Sequence, residues 1–418
     1  MILKILFQFR IVLVTTPLVI GLMGCSNNGT EEAILDVWVH TARSGTHKVV
    51  QQQVKRFNAA QDEITVQLTI LPEESYNAHI HKASQSGKLP DILEFDGPYV
   101  YNYVWQKLLI PLDNLLSEQV QQDLLPSIVK QGTYNNHLYS VGAFDSGVVL
   151  YARRSQLQAI GARIPTQQAE AWSAAEFNQI LADLAQSDRD GQVLDLKLNY
   201  QGEWYAFAFS PIIQSAGGDL INRNDYQSAA GKLNGSEAVA VMQQVQSWIQ
   251  NGYVDPNTDD AAFTEGRVAL AWGGHWVYQD YATAVGDDLV LIPLPDFGQG
   301  SKTAQGSWVW GITTQCKNPQ AAARFLEFLL QPQEVLAVTN ANKAVPGSKT
   351  AITQSKLYAK GQPLDLFSRQ LLSGQTIPRP QIPNYPVISV VFQKAFDEIR
   401  QGNDVKRTLD KAVAIIDQ

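Results

Sequence analysis

Two segments pair tryptophan with glycine where a strand meets a loop. Trp272-Gly273-Gly274-His275-Trp276 follows an apolar strand read over 268–271, and Gly306-Ser307-Trp308-Val309-Trp310 opens another strand. A third segment, Glu203-Trp204-Tyr205, stands just before an apolar helix. Indole faces stack on the C–H faces of saturated rings, and glycine lets backbone and ligand approach closely. Carboxylates, planar amides and arginine forks can then hold hydroxyl groups. The competing assignment for every tryptophan is the core. Helical spacing places Trp172 and Trp248 there, and Trp310, two residues along a strand from Trp308, joins them.

Other chemistries lack their residues. No phosphate-cradling glycine loop (GxGxxG or GxxxxGK[ST]) and no nucleophile elbow (GxSxG) occurs. The six histidines, His40, His47, His79, His81, His137 and His275, are not spaced as metal ligands. His79 and His81, two apart, fall on different helix faces. A formal net charge of −8 without a run of five like charges excludes the clustered basic surface that nucleic acid requires.

A chain of 418 residues, 45% hydrophobic, exceeds what one core usually serves, so two lobes are expected. Strand and helix signals alternate. Ile34 to His40 reads as a strand leading into the loop Thr41–Gly45, and Val50, Val54 and Phe57 then mark one helix face. Ile64 to Leu71 alternates apolar and polar residues as a half-buried strand does, and Asp91 to Phe95 is a third strand. This βαβ order implies an α/β fold, a central sheet flanked by helices. Ser236 is expected to cap a helix that buries Ala238, Val241, Met242, Val245, Trp248 and Ile249. Asn318-Pro319 starts another, with Ala322, Phe325, Leu326 and Leu329 inward. Val405, Leu409, Val413 and Ile416 share the face of a last helix. The chain is expected to change lobe near Val141-Gly142, between Phe297 and Lys302, and at Val345-Pro346-Gly347.

The N-terminus carries an address. Lys4 and Arg10 are the only charges before Glu31, and the apolar stretch from Ile11 to Met23 is too short to span a bilayer. It ends in Leu22-Met23-Gly24-Cys25, which resembles a bacterial lipobox, where the cysteine is lipidated and becomes the first mature residue. Several acyl chains there would anchor the protein stably. The alternative is an uncleaved N-terminal anchor. The only other cysteine is Cys316, so a lipidated Cys25 leaves no partner for a disulfide within the chain. Cys316 is expected to be a small buried group beside a strand.

From about Ile34 onward the chain resembles extracellular solute-binding proteins of the maltose-binding type. The motifs that carry the resemblance are Gly87-Lys88-Leu89-Pro90-Asp91-Ile92-Leu93, then Leu108-Leu109-Ile110-Pro111-Leu112-Asp113, and Tyr139-Ser140-Val141-Gly142 running to Leu150-Tyr151. Phe263-Thr264-Glu265-Gly266-Arg267-Val268-Ala269-Leu270, Gly306-Ser307-Trp308, Asn318-Pro319 to Leu329, and Arg379-Pro380 with Tyr385 continue it. Gly142 replaces the family's usual proline, and Ser307 a glycine.

The resemblance implies a two-lobed periplasmic-binding-protein fold that closes by hinge motion on a sugar or short oligosaccharide and delivers it to an ABC importer's transmembrane subunits. It implies no cofactor, no metal and no catalysis, and a monomer lipid-anchored on the outer side of the membrane. The lobes would be 33–142 with 301–344, and 143–300 with 345–418, after a signal peptide at 1–24 and a tether at 25–32. Carried over residue by residue, Trp276, Trp308 and Trp272 are expected to stack on sugar. Asp96, Arg43, Ser44, Glu203, Trp204, Tyr205 and Arg379 are expected to contact it, with His40 and Asp145 as further candidates. Two alternatives stay open. A lipid-anchored glycoside hydrolase would need two carboxylates about 5–10 Å apart, for which Asp96, Asp145 and Glu203 are candidates. A binding protein could instead take a polyol, a compatible solute, a polyamine or an oligopeptide.

Overall fold

The computed structural model describes residues 33–41, 45–373 and 376–418. Cys25, Arg43 and Ser44, and with them the expectations on lipidation and on the loop contacts, lie outside the described residues.

The β-branched and aliphatic run Ala33–His40 pairs in parallel with Ile64–Leu71 along its whole length. On its other side it meets Ile92–Asp96 at Val37 and Trp38. The fourth strand, Trp308–Ile312, arrives from far along the chain and lies antiparallel to Ile92–Asp96, with Trp308 opposite Asp96. Helix Thr46–Ala60 covers this sheet with Val50, Val54 and Phe57, the face that the sequence marks. A second sheet has the order Leu289–Ile292, Val149–Arg153, Leu270–Gly273 and Leu194–Asp195. One apolar cluster joins the two sheets, with Leu35, Val37 and Ile92 of the first and Val149, Tyr151 and Ala271 of the second, while Leu150, Ala152 and Leu270 turn to a separate core on the second sheet's other face.

Helix Glu203–Ala216 starts at Gly202, whose φ of 65° and ψ of −127° suit glycine. It packs against the helices Ser236–Gln250 and Tyr385–Arg400 as well as the strand Thr303–Gln305, so it is buried almost all round. Gly235, not Ser236, occupies the cap position of Ser236–Gln250, and Ser236 is its first helical residue. Asn318 does cap its helix, accepting from the Ala321 N–H, with Pro319 in the first turn.

Of the three two-stranded ribbons among the described residues, two lie beside the site. Phe144–Asp145 pairs antiparallel with Val345–Pro346. Thr303–Gln305 pairs in parallel with Thr376–Pro378, a segment that the sequence did not single out. Among the described residues no helix is long and apolar enough to cross a membrane.

Candidate ligand-binding site

The seam between the sheets is built around Arg379, on the short run between Thr376–Pro378 and helix Tyr385–Arg400. Its Nη1 donates to Asp96 Oδ2 at 2.8 Å and its Nη2 to Asp96 Oδ1 at 2.9 Å. Nη1 also reaches Glu203 Oε2 at 2.8 Å. Asp96 ends a strand of the first sheet, while Glu203 opens a helix packed in the core of the second, where the helix dipole favours an acid. Glu203 accepts further bonds, from Tyr385 Oη on Oε2, from Ser389 Oγ on Oε1 at 2.5 Å, and from Tyr99 Oη at 3.3 Å. Burial, reinforced by the Glu203 carboxylate, raises the Tyr385 and Tyr99 phenols, so both remain protonated donors. Buried charges persist only when paired, and here one guanidinium serves two carboxylates.

An aromatic layer adjoins this cluster. The Arg379 guanidinium lies 5.2 Å from the Phe207 ring centre, and Phe207 in turn contacts Trp276 at 6.1 Å between centroids. Trp276 is half-buried and meets Trp204 edge-on, 5.9 Å and 82°. A Cβ on Gly274 would come within 2.1 Å of the Trp276 ring, so that glycine is required for the ring to lie where it does. Trp204 is enclosed, its Nε1 donating to Leu196 O at 3.2 Å, and it supports Trp276 from behind.

Three of the expected contacts, Trp204 among them, are buried in the apolar core. Trp272 has no exposed surface, stacks on Phe209 and donates to Ala208 O at 3.2 Å. Tyr205 is equally enclosed and donates its hydroxyl to Leu198 O at 3.2 Å. His40 is also buried. Its ring lies parallel to Trp308, 3.4 Å between centroids and 11° between planes, and its Nδ1–H donates to Glu94 Oε2 at 2.7 Å. Burial pushes the His40 pKa down, yet the Glu94 carboxylate outweighs it and the net shift is upward. Trp308 is half-buried over this pair.

Asp145 is enclosed, within reach of the Arg379 charge but not facing an open site. It is buried in the ribbon with Val345–Pro346, where Ser127 Oγ donates at 2.5 Å, the Ser146 N–H at 2.7 Å and the Gly306 N–H at 2.9 Å. Burial raises its pKa and these bonds oppose the rise. Trp172, Trp248 and Trp310 are in the core as their spacing indicates. Cys316 is half-buried, and burial pushes its thiol up to about 12. Among the described residues no cluster of three or more His, Cys, Asp or Glu is arranged to hold a metal ion.

Sequence reasoning missed Tyr99, Phe207, Ser389 and Glu94. Two of these carry a local signal, since Phe207 lies four residues after Glu203 and Ser389 four after Tyr385, each one helical turn along the same face.

The profile of bacterial extracellular solute-binding proteins matches residues 52–362, and the chain belongs to that family. An uncharacterized lipoprotein of Streptomyces antibioticus is 21% identical over 84% of this chain and 78% of its own length. A maltooligosaccharide ABC transporter solute-binding lipoprotein of Streptococcus pneumoniae is 22% identical, over 54% of each chain, so the match spans about half of that relative. Among solved structures, the cyclic α-maltosyl-1,6-maltose binding protein of Arthrobacter globiformis superposes with a TM-score of 0.76 at 19% identity, covering 92% of this chain and 98% of that one. The sugar-binding protein MalE of Xanthomonas citri gives 0.75 at 17% identity, over 92% and 96%. These likenesses establish the two-lobed fold.

Proposed function

We propose that the protein is the solute receptor of an ABC importer and that its solute is a neutral sugar or short oligosaccharide held between the lobes. The observation that carries this reading is the half-buried Trp276 beside a polar cluster drawn from both lobes. Trp276 and Trp308 offer faces for sugar rings. Asp96 and Glu203, whose side chains keep 14% and 25% of their surface, accept sugar hydroxyls, while Arg379 at 5% stands behind them. The sugar ligands of several relatives support carbohydrate.

The carboxylates favour binding over hydrolysis. A glycosidase needs one carboxyl free to donate a proton and a second free to attack or activate water. Here Asp145 is enclosed by three donors, and Asp96 and Glu203 share one arginine. That shared cation also counts against a polyamine, which would have to displace it. The chain is exported, acylated at Cys25 and active as a monomer that docks on the permease. Its lobes comprise 33–142 with 301–344, and 143–300 with 345–418. The test is a thermal-shift screen of neutral mono- and oligosaccharides with product analysis. A ligand at 100 times its Kd adds about 2.7 kcal/mol of stability, and no sugar should be consumed. If no sugar shifts the melt, the carbohydrate assignment fails. Labelled palmitate should enter the wild type and not Cys25→Ser.

A further inference from the structure

We infer that Arg379 acts on Asp96 and Glu203 rather than on solute, and that it fastens the two lobes together before solute arrives. Both Nη atoms are taken by Asp96 of the first lobe, and Nη1 is shared with Glu203 of the second. Arg379 Nε, also buried, has no hydrogen-bond partner, so the hydrogen bonds of the guanidinium all go to the two acids.

The run that carries Arg379 is tied across the same seam. Gln381 Nε2 donates to Tyr101 Oη at 2.7 Å and to Lys130 O at 3.0 Å. Asn102 Nδ2 donates to Pro383 O at 2.8 Å. Tyr99, on the first lobe, reaches across to Glu203 at 3.3 Å. Each of these bonds joins the two lobes and breaks if they part.

Opening re-exposes the charges to water, which recovers much of the lost pairing, so the latch is reversible. Its effect is on populations. Apparent affinity scales with the fraction of molecules already competent to bind, so a latch that raises the closed fraction lowers the apparent Kd by the same factor. Arg379 is thus a positioning residue, one that sets both the lobe geometry and the spacing of the two hydroxyl-accepting acids.

The test uses protein without added solute, so its outcome is independent of whether the solute is a sugar. Small-angle scattering is recorded on the wild type, Arg379→Met, Arg379→Lys, Asp96→Asn and the Arg379→Met/Asp96→Asn double variant. Arg379→Met and Asp96→Asn should each increase the radius of gyration. The double variant should match the larger single effect, because both remove one contact. Arg379→Lys should restore part of the wild-type profile, which a merely structural residue would not do. Should Arg379→Met fail to fold, Asp96→Asn decides alone. Folded variants whose scattering matches the wild type would overturn the proposal.

Discussion

The two sides of the seam use the same residue types to opposite electrostatic ends. On the second lobe, His275 lies beside Trp276, is buried, and donates to a neutral backbone carbonyl, Asn342 O, at 2.9 Å. Burial holds its pKa down at about 4. On the first lobe, His40 lies under Trp308, equally buried, but against the Glu94 carboxylate, and its pKa is raised. One tryptophan therefore stands edge-on to an imidazole whose pKa is depressed, and the other stacks on one whose pKa is raised. A buried histidine takes its charge state from whether an acid is beside it, not from burial alone.

The same contrast separates Trp272 from Trp276. The first fills the core and the second borders the seam, although only three residues part them. Trp272→Ala should cost about 3–5 kcal/mol of stability, read as the shift of a urea or thermal transition, because it empties an enclosed site. Trp276→Ala should melt close to the wild type. Equal losses at both positions would erase the distinction.

The histidines give the next largest effects. His275 has a depressed folded pKa, so its contribution is complete above the unfolded value of 6.5 and is lost as pH falls through about 4. Stability measured across that window should fall by roughly 3 kcal/mol at most on this account, and His275→Gln should flatten the acid limb. A wild-type limb unchanged in His275→Gln would assign the acid loss to other groups. His40 has a raised folded pKa, so the sign reverses. Its contribution is complete below 6.5 and is lost as pH rises through the folded value, and Glu94→Gln should remove that shallower alkaline limb. Parallel pH profiles for wild type and Glu94→Gln would contradict the pairing.

Strands with a clean alternation were legible in the sequence. Ile64–Leu71 matches the reading, and the first strand extends it by one residue to Ala33–His40. The strand read over 268–271 instead runs Leu270–Gly273, because Val149–Arg153 continues the ladder as far as a Val149–Gly273 pair. Those two residues decide Trp272, since lengthening the strand turns its side chain into the core. Tyr205 was obscured for a different reason. Its helix is buried almost all round, so it shows no stripe from which an inward face could be read. The pairing of Arg379 with Asp96 joins residues 283 apart, and that with Glu203 residues 176 apart. Such contacts form only once segments distant in sequence have packed together, so composition and local spacing carry no trace of them. The juxtaposition of Gly274 and Trp276 was readable because the two, which pack against each other, are also close in sequence.

On the proposed function, Trp276 contributes a face to a neutral sugar held between the lobes. Titration calorimetry of the best saccharide from the screen, against wild type and a Trp276→Ala variant shown by melting to be folded, tests it most directly. The variant should lose about 2 kcal/mol of binding, roughly thirtyfold in Kd. The wild-type affinity should barely change with salt, because an uncharged ligand leaves ions nothing to screen. A folded Trp276→Ala that binds like the wild type, or an affinity that falls steeply with salt, would contradict the account.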